Sequence, residues 1–135
     1  MRVLIDTNII LDVLCSRQNF VETSSKIFKL CEIGKIDGYV SALTIPNIVY
    51  IMRKELDPEK IKDILEKLSL NFTVADLRAD DIKKAAYLNF KDYEDALQSV
   101  CASRIKTNFI VTRNIKDFAD SRVAAITPVE LINRI

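Results

Sequence analysis

The sequence predicts an α/β fold, a three-layer α/β/α sandwich around a central parallel sheet of about five strands. Three observations lead there. Short apolar runs rich in β-branched residues alternate along the chain with longer segments whose apolar residues recur at helical spacing, the order expected of strands joined by crossover helices. The first such run, Val3, Leu4 and Ile5, has no polar alternate, as in a strand covered on both faces. The length of 135 residues, 49% of them apolar, is one domain's worth of chain over residues 1–135, large enough to bury a real core.

Each element has its own warrant. Residues 2–6 read as the first strand. Beyond Asp6, the residues Ile9, Ile10, Val13 and Leu14 are spaced as one face of a helix over 8–15, with Asp12 left on the other face. A second helix covers 21–34 and ends at Gly34. "GYVS" at 38–41 is the second strand. "TIPNIVYIMRKEL" at 44–56 follows as a helix, with Thr44 as its cap and Pro46 tolerated in its first turn. Pro58 opens a helix over 59–69 whose buried face is Ile61, Ile64, Leu65 and Leu68. "FTVA" at 72–75 is the third strand, and helices over 80–89 and 93–105 come next, the latter with Leu97, Val100, Cys101 and Ile105 inward. "FIVT" at 109–112 is the fourth strand, a turn carries Asp117 and Phe118, and "VAAI" at 123–126 is the fifth strand. Thr127, with Pro128 at the first helical position, starts the closing helix. There is no linker, repeat or low-complexity segment.

Composition excludes several classes of chemistry. Two glycines leave no glycine-rich phosphate loop, which removes P-loop and dinucleotide-binding sites. The absence of histidine removes imidazole zinc sites, Ser-His triads and Cys-His pairs. Cys15, Cys31 and Cys101 are far apart and read as small core residues in a reducing compartment. A net charge of +1 argues against a wholesale electrostatic hold on nucleic acid. No stretch is long enough to cross a bilayer, and Asp6 and Asp12 follow Arg2 too closely for a signal peptide, so the expectation is a cytoplasmic protein. A phosphatase of the D-x-D kind is not matched by Asp6-Thr7-Asn8. A receiver domain would need a lysine after the last strand, where "VAAITPVEL" has none.

Any catalytic site must then be built from carboxylates. Asp6 ends the first strand, and Asp117 lies just beyond the fourth. Asp92, Glu94 and Asp95 crowd the start of the helix leading into that fourth strand. Each has an ordinary reading: Asp6 or Asn8 as a helix cap, the second group as complements to a helix dipole, Asp117 as a loop acid. A parallel sheet, however, binds ligands off the carboxyl ends of its strands, and there Asp6, Asp95 and Asp117 can meet. Carboxylates held close raise one another's pKa unless a cation lies between them, and oxygen-only ligands select Mg2+ or Mn2+.

"LIDTNIILDVL", "EDALQSVCA" and "IVTRNIKDF", in that order and spacing, with "ITPVEL" after the last strand, resemble a PIN domain over essentially the whole chain. The likeness is strongest to small single-domain bacterial and archaeal members, many of them VapC-type toxins of toxin–antitoxin pairs. It implies a metal-dependent endoribonuclease acting on RNA. Asp6, Asp95 and Asp117 then correspond to catalytic and metal-binding acids, with Thr7, Asn8, Thr112 and Asn114 as polar positions beside them. It also implies an antitoxin protein partner and a homodimer. Ile48, Ile51 and Met52 would then line a partner surface, unless they are core.

One position departs from the family's pattern: after "SALTIP" an acid is usual, and here it is Asn47. Asn47 brings an amide oxygen but no charge, and Glu94 or Asp92 is placed to make up the missing acid. A module that binds RNA or a protein without cutting therefore stays open as the alternative. Arg53, Lys54, Arg104, Lys106, Arg113 and Lys116 are the basic residues expected to flank the acidic edge, either taking phosphates or forming solvated helix faces.

Overall fold

A computed structural model describes residues 1–135. Its elements in chain order are β1 (Arg2–Ile5), α1 (Thr7–Leu14), α2 (Val21–Glu32), β2 (Asp37–Ser41), α3 (Thr44–Ile51), α4 (Pro58–Asn71), β3 (Thr73–Ala75), α5 (Ala79–Ala86), α6 (Tyr93–Arg104), β4 (Phe109–Val111), a 3-10 turn (Ile115–Phe118), β5 (Ala125–Ile126) and α7 (Pro128–Asn133). The five strands form one sheet in the order β3-β2-β1-β4-β5, and every pairing is parallel.

The central strand explains the layers. Val3 and Ile5 of β1 point into a core shared with Ile9, Ile10, Ile27, Ile48, Leu68 and Leu131, from α1, α2, α3, α4 and α7. Leu4, on the opposite face, packs with Ile110, Cys101, Ala102 and Phe118, beneath α6 and the 3-10 turn. Alternate side chains of one strand are thus buried on both sides, as the unbroken apolar run implied. At Gly38 of β2 a Cβ would stand 2.5 Å from the Cys31 sulfur and 2.8 Å from the Phe72 ring, so the strand passes α2 too closely for any side chain.

The helix starts follow local chemistry where the sequence signal is a cap. Asp57 accepts from the Lys60 N–H at 2.9 Å with Pro58 at the first position, and Thr127 accepts from the Glu130 N–H at 3.2 Å with Pro128 behind it. Other expectations need correction. Thr44 does not cap α3; it is its first residue, and its hydroxyl is buried against Thr7. Helix α3 ends at Ile51 rather than running to 56. Arg53 folds back to donate to the Tyr50 carbonyl at 2.7 Å, and Pro58 holds Asp57 extended before the next helix. Helix α2 ends at Glu32, two residues short of Gly34, whose φ of +75° completes the turn. On α4 only Leu68 is fully buried, because this helix stands at the margin of its layer. Cys15 is exposed at the end of α1, while Cys31 and Cys101 are core residues. Strand β5 has only Ala125–Ile126. Ile48 and Met52 belong to the core, whereas Ile51 is exposed. Asp12, expected on a solvent face, is completely buried. No helix is long and apolar enough to cross a membrane.

Candidate active site

Asp6 ends β1 and is itself nearly buried. Its N–H donates to the Val111 carbonyl at 3.0 Å, and its carboxylate accepts from the Thr112 hydroxyl at 2.8 Å. The Asn114 N–H donates to that same hydroxyl oxygen at 3.0 Å, so the exits of β1 and β4 are tied together through Thr112. Asp6 occupies the cap position of α1 with extended backbone, yet its side chain makes no capping bond, and the capping reading of Asp6 is overturned.

The second wall comes from α6. Asp92 accepts from the N–H groups of Glu94 at 2.8 Å and Asp95 at 3.4 Å, which starts the helix and stations both acids in its first turn. Asn47 of α3 donates its amide to Glu94. Below them, Thr7 and Thr44 share a hydroxyl–hydroxyl bond of 3.0 Å, and the buried Gln98 donates to the Thr44 hydroxyl at 3.4 Å while its own Oε1 has no partner. Asp117 lies exposed on the 3-10 turn after β4.

These carboxyl groups sense one another. Burial pushes the Asp6 carboxyl above its ordinary range and Asp117 adds to the shift, while the Thr112 bond, a backbone contact from Thr7 and the Arg113 charge oppose it. Asp95 is pushed up to about 7, first by burial and then by the charges of Asp92, Asp6, Asp117 and Glu94. Glu94 is raised by burial, Asp92 and Asp6, and its bond from Asn47 works the other way. Asp6, Asp95, Asp117, Glu94, Asn47 and Thr112 are therefore gathered at one edge of the sheet. Thr7 is tied to α3 just beneath, Asn114 contributes its backbone, and Asn8 makes no side-chain bond.

Of the six basic residues, the three arginines are engaged elsewhere, whereas Lys54, Lys106 and Lys116 are exposed and make no ion pair. Arg113 forks onto Asp12 at 2.9 and 3.0 Å, Arg104 holds Asp76 and Asp81 at 3.0 Å each, and Arg53 lies over the Tyr50 ring at 4.1 Å. Gln98 escaped the sequence reading, although it lies one helical turn beyond Asp95. The Asp12–Arg113 pair also escaped it; an acid flanked by Leu11 and Val13 was the available hint.

The sequence profile of PIN domains matches residues 2–116. This chain belongs to the PIN domain family. It is 26% identical over 138 residues to Ribonuclease VapC1 of Aquifex aeolicus (strain VF5), covering 98% of this chain and 94% of that protein. Among solved structures it resembles a toxin–antitoxin complex from Klebsiella pneumoniae with a TM-score of 0.71 at 21% identity, covering 93% of this chain and 97% of that one. VapBC2 from Rickettsia felis bound to a promoter DNA fragment gives a TM-score of 0.70 at 16% identity, with 94% and 98% covered. At such identities these two structures speak for the fold. In this PIN domain the donor set at the sheet edge is oxygen throughout, which fits a hard divalent cation, and carboxyls raised by burial and by neighbouring acids are the condition that such a cation relieves. No three Asp, Glu or Cys side chains gather closely enough to enclose an ion.

Proposed function

We propose that this PIN domain, one domain over residues 1–135, is a divalent-metal-dependent endoribonuclease and the toxin of a type II toxin–antitoxin pair. The observation that carries the nuclease reading is the convergence of carboxyl groups from separate elements, with Asp95 pushed up to about 7 by burial first, then by Asp92 at the start of its own helix and by Asp6 and Asp117 from other elements. The toxin reading is supported by the likeness to VapC1, and an antitoxin, a homodimer and a cytoplasmic location belong with it. Asp6, Asp95 and Asp117 would hold Mg2+ or Mn2+, with Thr112 orienting Asp6 and Asn47 orienting Glu94. When bound, such an ion lowers the pKa of a coordinated water and offsets charge on the attacked phosphate. Thr7 and Asn8 at the start of α1 and Asn114 beyond β4 line the same edge and supply polar contacts to RNA.

Calorimetric titration of Mn2+, paired with cleavage of single-stranded RNA with and without EDTA, tests the reading. The wild type should bind the ion and cut, EDTA should stop cutting, and Asp6→Asn should lose cleavage. Cleavage that survives EDTA overturns it. A wild type that binds RNA but neither binds Mn2+ nor cuts overturns it in favour of a binding module, the alternative that Asn47 favours by standing where the family usually has an acid.

A further inference from the structure

We infer that Arg113, held by buried Asp12, is a positioning residue that fixes the exit of β4 against helix α1, and so sets the spacing of the carboxylates on either side. The inference rests on the nuclease reading above. Asp12 has no exposed surface, yet its carboxylate is fully engaged: Arg113 donates through Nε at 2.9 Å and Nη2 at 3.0 Å, the Ser24 hydroxyl donates at 3.1 Å, and Arg17 donates at the longer distance of 3.5 Å. The Phe20 ring lies 3.9 Å from the Arg113 guanidinium carbon, closing a face of the fork. Arg113 is thus held by Asp12 of α1 and by Phe20, the residue preceding α2, while Ser24 of α2 holds Asp12.

Its place in the chain gives the clamp its meaning. Arg113 follows Thr112, which donates to Asp6, and precedes Asn114 and Asp117. Asp12 lies on the helix that begins immediately after Asp6. One ion pair therefore joins the two segments that carry Asp6 and Asp117. An apolar side chain at position 12 would fill the same space without the desolvation penalty of a buried carboxylate, so stability alone is a weak reason for this pair. The Arg113 charge also reaches the Asp6 carboxyl and favours its ionised form.

The test is Mn2+ affinity by calorimetry on the double variant Asp12→Asn/Arg113→Gln, which removes both charges together, at a temperature where thermal melts show it folded. A positioning role predicts a loss of ~10-fold or more relative to wild type, the scale found for groups that orient metal ligands. A purely structural role lowers the melting temperature and leaves affinity unchanged, which overturns the inference. If the double variant does not fold, Arg113→Lys, which keeps both charges but not the fork, is titrated with the same two outcomes. Absence of Mn2+ binding by the wild type defeats the proposed function itself, whereas equal binding by wild type and variant defeats only this inference.

Discussion

At Asp6 the carboxylate takes the Thr112 hydroxyl and makes no capping bond to α1. Asp6→Asn keeps an acceptor for Thr112 and removes one of several repelling charges. In EDTA it should melt at or slightly above the wild type while Mn2+-dependent RNA cleavage is lost; a clear drop in melting temperature would restore the capping role. Asn47→Glu tests the opposite sign. It places a second carboxylate where Asn47 now donates to Glu94, so the variant should melt lower in EDTA. It should also bind Mn2+ more tightly, on the scale of ~10- to 100-fold for a change in or beside the ligand shell. Equal Mn2+ affinity in both proteins would mean that position 47 does not serve the ion. The acids that end or begin an element were legible in the sequence, because Asp6, Asp95 and Asp117 stand at junctions that a parallel sheet brings to one edge. Asp12 was not. Hydropathy assigns an acid between Leu11 and Val13 to solvent, and its partner Arg113 is 101 residues away. The same blindness made Arg104 and Arg113 look free for phosphates, when both are committed to buried carboxylates, Asp81 and Asp12.

Helix α6 shows how an element can serve stability and chemistry with the same residues. Asp92 caps it, and its charge also raises Glu94 and Asp95 behind it. Asp92→Ala removes a cap worth about 1 kcal/mol. It also removes a repulsion that exists only while Asp95 is ionised. At pH 5, below the value of about 7 reached by Asp95, that carboxyl is mostly protonated, and the loss of the cap should appear nearly in full. At pH 8 relief of repulsion offsets part of the loss. Urea unfolding in EDTA at both pH values should therefore give a smaller destabilisation at pH 8; equal or larger loss there would mean that Asp92 does not act on Asp95. Helix existence was readable from periodicity and caps, as Asp57-Pro58 and Thr127-Pro128 illustrate. Helix length was less so. The apolar period of α3 continues through Met52, which is buried, but the Arg53 side chain turns back on the Tyr50 carbonyl and closes the helix, a contact that no pattern of hydropathy encodes.

Across the whole molecule, the sheet order β3-β2-β1-β4-β5 puts a reversal of strand order between β1 and β4. The alternation of strand-like and helix-like segments predicted a parallel sheet, and the parallel-sheet rule then located the ligand edge beyond the carboxyl ends at such a reversal. Asp6 leaves one of these strands, Thr112 and Asp117 follow the other, and α6 supplies Asp95 from the sequence just before β4. That convergence couples the stability of the fold to pH. Asp95 ordinarily titrates near 3.8 and reaches about 7 in the folded chain, with Asp6 and Glu94 shifted the same way. Between those values the folded state holds more protons than the unfolded one, so stability falls as pH rises and the loss is complete only above the folded value. In EDTA the melting temperature should accordingly be higher at pH 5 than at pH 8, and Asp95→Asn should flatten the difference. A divalent ion reverses the dependence, because it binds the ionised carboxylates and competes with their protons. The rise in melting temperature on adding Mn2+ should therefore be larger at pH 8 than at pH 5. A melting temperature in EDTA that climbs from pH 5 to pH 8 would contradict the raised carboxyls, and an Mn2+ effect of equal size at both would remove the ion from them.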